Sequence, residues 1–462
     1  MGRTVKEMAV DKRGVAGKNF TCCNKVVAIV LTVLLMSVSD VLLANTEDDA
    51  AYQRLFEAMK NDPTDAEKTF QFVQAAIKKG ELNSAIAALE RILLNKPYLP
   101  NIQLELGVLY LRAGAPELAS YYIDQALRSP EVPGWVRARA TTLLYRADSA
   151  SSRHVFSGSL FLAANHDSNA NAAPADRLVK VLGNDALLDE DDTGRSDVSA
   201  ELGFSLNHQY DFGSQAGHQL ETRFNTYNRL YDKVDDIDVN ALDLSVGPRF
   251  YFGPVLNPSW SLKPSVSVSK VLLDGDDYLD AYGIGLNVRK SFSTRVLMEV
   301  SVLGEDQHYV DSSTRPSASD RSGEYYTAEW GVSYLATATL MFGGELAFNQ
   351  RSAKQDYESL TKNSASMYLT YAYRPGFLRA SRAWRARLST AYGDTRYDTA
   401  DPLIDPDIRR HDKRLDVNLS QFFPLGRSAA LVVSVAYTDN DSSLPNYDYS
   451  NVNGKLGWSY AF

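Results

Sequence analysis

From about residue 155 onward the chain alternates apolar and polar side chains with a period of two, over runs that few folds can accommodate. "VSAELGFSLNHQYDF" puts Val198, Ala200, Leu202, Phe204, Leu206, Tyr210 and Phe212 on one face, with His208 the exception. Ser199, Glu201, Gly203, Ser205, Asn207, Gln209 and Asp211 fall on the other. A period of two is a strand, and this run far exceeds the roughly 5–6 residues usual in globular sheets. "WSLKPSVSVSKVL", "VLMEVSV" and "YTAEWGVSYLA" repeat the device. Fourteen such segments can be counted, centred near residues 159, 205, 225, 246, 265, 286, 298, 331, 343, 369, 388, 418, 433 and 456. Their connections alternate in length. Residues 213–217, 291–294, 335–339 and 424–428 are short turns, whereas 165–197, 304–324, 349–362, 393–411 and 438–447 are long and polar.

An even number of long strands, with short turns at one end and long loops at the other, predicts an antiparallel transmembrane β-barrel over 151–462. The reason is backbone hydrogen bonding: inside lipid an unpaired N–H or C=O costs several kcal/mol, so a sheet must close on itself. The apolar face then meets lipid and the polar face the lumen. A soluble sandwich shares the alternation, but its strands are shorter and its outer face is polar. It also leaves unexplained the Tyr and Trp near strand ends, where membrane interfaces favour them. The last strand, "VNGKLGWSYAF", turns Val452, Leu456, Trp458, Tyr460 and Phe462 to lipid and Asn453, Lys455, Gly457 and Ser459 inward. An aromatic-ended terminal strand with a final Phe resembles the signal read by the barrel-assembly machinery, which needs a strand edge to pair with. Trp458, Tyr460 and Phe462 are therefore candidate signal residues. That machinery and outer-membrane lipid are expected partners.

The N-terminal third has a different period. "KKGELNSAIAALERILLNKP" and "LRAGAPELASYYIDQALRSP" align at a shift of 34 residues: Gly80 with Gly114, Ala85 with Ala119, Leu89 with Ile123, Ile92 with Ala126. Pro97 and Pro130 close the two units. A 34-residue period with a turn Gly and small residues in the second helix is the tetratricopeptide pattern. The spacing predicts a short helical solenoid over 45–150, with Leu106, Gly107 and Tyr110 in the first helix of the second unit and a closing helix at 135–145. Its concave face, Asn101, Leu104, Val108, Leu111 and Arg112, is the candidate client-binding surface; the alternative is a dock for the barrel's own turn at 374–383. Before this, a basic segment and the apolar run "VVAIVLTVLLM" read as a secretory leader over 1–44, with Met8 as an alternative start. An uncleaved anchor helix is the other reading, though the run is short for spanning. The chain's two cysteines, Cys22 and Cys23, lie inside that leader, so disulfides are not expected in the rest. The formal charge is −9, and removing a leader of net +3 leaves −12, which argues against a nucleic-acid partner. With 44% hydrophobic and 11% aromatic residues, wholesale disorder is not expected.

Catalytic chemistry is not written in the chain. The six histidines show no metal-ligand spacing, and no G-x-S-x-G, Walker loop or H-E-x-x-H occurs. The acidic stretches "DEDDTG" (189–194) and "DGDD" (274–277) could hold Ca²⁺, but the first has Ala200 where the calcium loop needs Glu, and solvated loops are the expected reading. No enzyme activity, metal or cofactor is expected.

A leader, a short tetratricopeptide array and a 14-strand barrel together make an α+β multidomain chain that resembles the surface lipoprotein assembly modulator (Slam) family. "AANHDSNANAAP" (163–174), a D-x-N-x-N segment after the first strand, is similar to what that family's barrel carries. The helical part here is shorter than in typical members. The resemblance implies an outer-membrane factor that helps a client surface lipoprotein or secreted protein cross to, or assemble at, the outer surface, with the repeats in the periplasm. Two alternatives stand beside it: an exopolysaccharide export porin, a class that also joins such repeats to a barrel, and a general nutrient porin.

Overall fold

The computed structural model describes residues 45–128 and 153–462, apart from 63–64, 97–98, 190–192, 215–216, 253–259, 294 and 377–381. The leader, Pro97, Pro130, the expected closing helix and the middle of the 374–383 turn lie outside the described residues.

Among the described residues the N-terminal part forms α1 (Asn45–Asn61), α2 (Ala66–Lys79), α3 (Leu82–Asn95), α4 (Pro100–Arg112) and α5 (Pro116–Arg128). Asp65 starts α2 by accepting from the backbone N–H groups of Glu67 at 2.9 Å and Lys68 at 3.2 Å. Gly80 ends it at φ 86°, and Gly114, its partner in the 34-residue alignment, turns the chain at φ 74°. Only a residue without Cβ adopts this left-handed turn freely. Pro100 occupies the first turn of α4, where its missing N–H is no loss. Each helix packs on the next. Phe72, Ala76, Ala85, Leu89, Leu106 and Leu109 form one core, and Leu104, Ala119, Ile123 and Ala126 form another. The α4 helix feeds both, so it is apolar nearly all round. Gly107 lets α5 approach: a Cβ there would lie 2.4 Å from Ile123 Cγ1. A polar tie crosses this stack. Glu90 on α3 accepts from the hydroxyls of Tyr110 (2.7 Å) and Tyr122 (2.9 Å), whose rings stack at 5.4 Å.

The barrel strands are β1 (His154–Asp167), β4 (Asp197–Asp211), β5 (Gln219–Tyr231), β6 (Val239–Phe252), β7 (Trp260–Leu273), β8 (Asp276–Ser291), β9 (Val296–Tyr309), β10 (Gly323–Leu335), β11 (Leu340–Ala353), β12 (Leu360–Tyr373), β13 (Trp384–Tyr397), β14 (His411–Pro424), β15 (Ala429–Ser442) and β16 (Tyr449–Ala461). These fourteen close into one antiparallel barrel, because β1 pairs with both β16 and β4. Leu160, for example, lies opposite Tyr460 on one side and Phe204 on the other. Each expected strand centre falls inside one of them. The long loops are shorter than the sequence suggests. Gly304 to Tyr309 continue β9, and β15 runs on to Ser442. Strands of 13–16 residues exceed the 9–11 or so needed to cross lipid, so their polar loop-side ends extend beyond it and still pair. Apolar side chains on the outer face, such as Ile284 and Met367, are left uncovered by protein, as a lipid-facing band requires. The chain is thus a helical segment followed by an outer-membrane β-barrel.

Candidate functional site

The lumen is lined by polar side chains that tie strand to strand. On one wall a chain of contacts crosses five strands. Glu221 (β5) accepts from Arg249 (β6) at 2.7 Å and pairs with Lys263 (β7) at 3.3 Å. Arg249 also donates to Ser261 at 3.1 Å and to Asn287 (β8) at 3.0 Å. Asn287 in turn donates to Glu299 (β9) at 2.6 Å, and Glu299 also takes a bond from Arg289 at 3.1 Å. At the barrel's closure Lys455 (β16) meets Glu201 (β4) at 2.7 Å, and Asn165 (β1) donates to Glu201 at 3.1 Å. Such charge-assisted bonds in a low-dielectric wall hold neighbouring strands in register. Farther round, a cavity of about 370 Å³ is lined by Glu299, Glu329, Glu345, Tyr368 and Arg387, with the Arg387 guanidinium 4.2 Å from the Tyr368 ring centre.

The D-x-N-x-N segment has a structural role at the loop end. Asp167 takes a bond from Arg229 and from Asn451 (2.8 Å) and Asn453 (3.0 Å). Asn169 receives the Ala173 N–H at 3.1 Å and donates to the Ala173 and Ser450 carbonyls. Asn171 receives the Arg195 N–H at 2.9 Å and donates to the Thr193 carbonyl at 3.1 Å. Three side chains two residues apart therefore fasten the start of the first loop to β5, β16 and the loop's own return.

That loop contains what the sequence reading missed, a hairpin of β2 (Leu178–Val181) and β3 (Asn184–Leu187). Its turn residues Leu182 and Gly183 have φ 50° and 78°. Their N–H groups donate to Leu403 (3.0 Å) and Ile404 (2.9 Å), and Lys180 exchanges two bonds with Asn446. The Gly183–Asn184 pair between short apolar runs was the available signal. The reading of "DGDD" as a loop is corrected in the same way. Asp274 and Gly275, at φ 53° and 78°, form a two-residue turn between β7 and β8, and Asp276 onward is strand. Asp-Gly favours this turn because both central residues need positive φ. Half of "DEDDTG", residues 190–192, lies outside the described residues.

The three terminal aromatics form a ladder on the outer face. Trp458 and Tyr460 stack at 5.9 Å, Tyr460 and Phe462 at 6.3 Å, and Phe462 reaches Phe204 at 6.5 Å. Phe462 also exchanges backbone bonds with Gly158 at 2.9 and 3.0 Å, extending the β1–β16 seam. Its ring lies over Gly158, where a Cβ would meet Phe462 Cζ at 2.5 Å. His208, the exception in the alternation, sits in an aromatic group at the turn end, 4.6 Å from Phe156 and 5.2 Å from His154.

Of the expected concave-face residues, Asn101 and Arg112 are exposed, and Val108 and Leu111 are half-buried. Leu104 is corrected: at 2% exposure it packs on Ala119, Ile123 and Ala126, with Val108 and Leu111 against the same cluster. The i, i+4, i+7 stripe is covered by α5.

A family model described as surface lipoprotein assembly modifier matches residues 157–456, the family type that the repeat-and-barrel architecture resembles. No curated protein matches the chain. Among solved structures, a bacterial polysaccharide outer membrane secretin is similar at 9% identity, covering 66% of this chain and 98% of that one (TM-score 0.35). An anion-selective porin from Comamonas acidovorans is similar at 12% identity, covering 67% and 99% (TM-score 0.35). The outer membrane channel DcaP of Acinetobacter baumannii is similar at 10% identity, covering 67% and 97% (TM-score 0.36).

Proposed function

Because the chain belongs to the surface lipoprotein assembly modifier family, we propose that it helps a client surface lipoprotein reach the outer face of the outer membrane. The observation that carries this is the family match across the barrel, from Ser157 in β1 to Leu456 in β16. In this reading the barrel supplies a polar path through lipid, walled by the Glu221–Arg249–Asn287–Glu299 chain. The helical segment stands in the periplasm and receives the client, with Asn101 and Arg112, the two expected contacts that α5 leaves exposed, as its candidate contacts. Trp458, Tyr460 and Phe462 serve the barrel-assembly machinery that inserts the protein. The test is deletion of the gene followed by surface-restricted labelling and mass spectrometry. One or a few lipoproteins should vanish from the surface while their total amount holds, and the full-length gene should restore them. An unchanged set of surface proteins would remove this function.

A further inference from the structure

The ladder between β6 and β7 is broken. Pairing runs from Val239↔Leu273 to Val246↔Val266, then resumes at Phe250↔Leu262. The ladders on either side continue through this level: Leu220 pairs Pro248, and Pro264 pairs Leu286. Carried across the gap, the β6–β7 register sets Pro248 opposite Pro264. Neither has an N–H to give, and proline belongs on edges or bulges, not between two central strands. The backbones also pinch here, since a Cβ on Gly247 would lie 2.0 Å from the Pro264 carbonyl oxygen. What spans the gap instead is side chains on the lumen face. Arg249, 2% exposed, bonds to Glu221, Ser261 and Asn287, and Lys263 pairs with Glu221. On the outer face the gap is flanked by Val246, Phe250, Leu262 and Val266, of which Val266 is wide open to the outside. A seam held by side chains on one face, with the ladder missing, can part without breaking backbone bonds at that level.

We propose that the β6–β7 seam is a lateral portal, opening at Pro248 and Pro264 to pass the acyl chains of a lipidated polypeptide between lumen and bilayer. This rests on the function proposed above. A lipidated polypeptide presents two incompatible needs: its peptide requires a polar path, and its acyl chains lose stability with every methylene taken from lipid into a polar lumen. An unbroken wall would force both through one medium. A seam with apolar lips and a polar clamp gives the acyl chains a short way out of the polar lumen into lipid while the peptide keeps its polar path.

The test uses the full chain, with Cys22 and Cys23 replaced by Ser, reconstituted in phospholipid vesicles. The probe is a synthetic triacylated cysteinyl peptide with a diazirine on an acyl chain. Photolabel should map to lumen-facing residues at the seam, Arg249, Lys263 and Ser265. Ser245 and Ser267 are paired across this seam, and Ser420 and Ser434 are paired across the unbroken β14–β15 seam. Oxidised Ser245→Cys/Ser267→Cys should lose the lumen label and regain it on reduction. Oxidised Ser420→Cys/Ser434→Cys should keep it. Pro248→Val/Pro264→Val, which restores two donors, should lower labelling about tenfold. The portal is overturned if the lumen is never labelled, if both locks act alike, or if labelling survives the β6–β7 lock. It is also overturned if only a diazirine phospholipid, and not the peptide, gives the label. Because this readout needs no client, an unlabelled lumen in a protein whose deletion still strips lipoproteins from the surface removes the portal alone.

Discussion

Val435 and Ala436 are neighbours in β15 that meet different media. Val435 is 56% exposed on the outer face opposite Leu419, whereas Ala436 faces the lumen between Asn418 and Asn453. Val435→Arg should therefore cost about 2–4 kcal/mol if the site lies at the bilayer midplane, and Ala436→Arg within about 0.5 kcal/mol, as for other solvated sites. Folding titrations from urea into lipid vesicles measure both; equal losses would contradict the register. In the helices, Leu104→Ala should cost about 2–5 kcal/mol because it empties a packed core, while Arg112→Ala should leave urea unfolding of the helical signal nearly unchanged. Residue direction was legible wherever the period was two, since each strand residue can face only two ways. It was not legible on α4. Ile102, Leu106 and Leu109 meet one core and Leu104 another, and a helix covered on both sides gives no sequence cue to which stripe is free.

The polar tie joining α3, α4 and α5 makes their stability depend on alkaline pH. Burial, and then the bond to Glu90, raises the Tyr122 hydroxyl to about 12 and pushes that of Tyr110 up as well. Below a pH of about 10, the ordinary tyrosine value, both phenols are protonated folded and unfolded, so the full stability is present. As pH rises past that value the unfolded chain releases protons that the folded one keeps, and stability falls toward the folded values. Helical unfolding followed by circular dichroism should thus shift down in temperature between about pH 10 and 12. Tyr110→Phe/Tyr122→Phe should start lower and respond less; an identical pH slope would sink the assignment. At the loop end, Asp167→Ala strands Arg229, Asn451 and Asn453 without their shared acceptor, so the 168–196 loop should become protease-sensitive on intact cells. Strand existence was legible at this scale because fourteen alternating runs are hard to mistake. Strand ends were not, because their loop-side residues are polar yet still paired. The four-residue strands of β2 and β3 are too short to show a period at all.

At the scale of the whole molecule, both ends of the barrel sheet, His154 and Ala461, lie at the same end as the short connections, such as 336–339 and 425–428. The first loop and 398–410 lie at the other. Outer-membrane barrels put short turns in the periplasm and longer loops outside, so the loop end should face the medium. The helical segment enters at the turn end and should lie in the periplasm. The even strand count made this legible, since it forces both sheet ends to one side; the fastening of Asp167 to Asn451 and Asn453, of Lys180 to Asn446 and of Leu182 to Leu403 was not, because those contacts join residues more than 200 positions apart. Two exposed sites test the arrangement in a chain with Cys22 and Cys23 replaced by Ser. Asp276→Cys, at the tight β7–β8 turn, should react with an impermeant maleimide on intact cells. Glu117→Cys, at the start of α5, should react only after the outer membrane is breached. If the two sites exchange behaviour, the barrel is inverted relative to this assignment. If both label on intact cells, the helical segment is outside, and the proposed receipt of a client from the periplasm fails while the barrel itself stands.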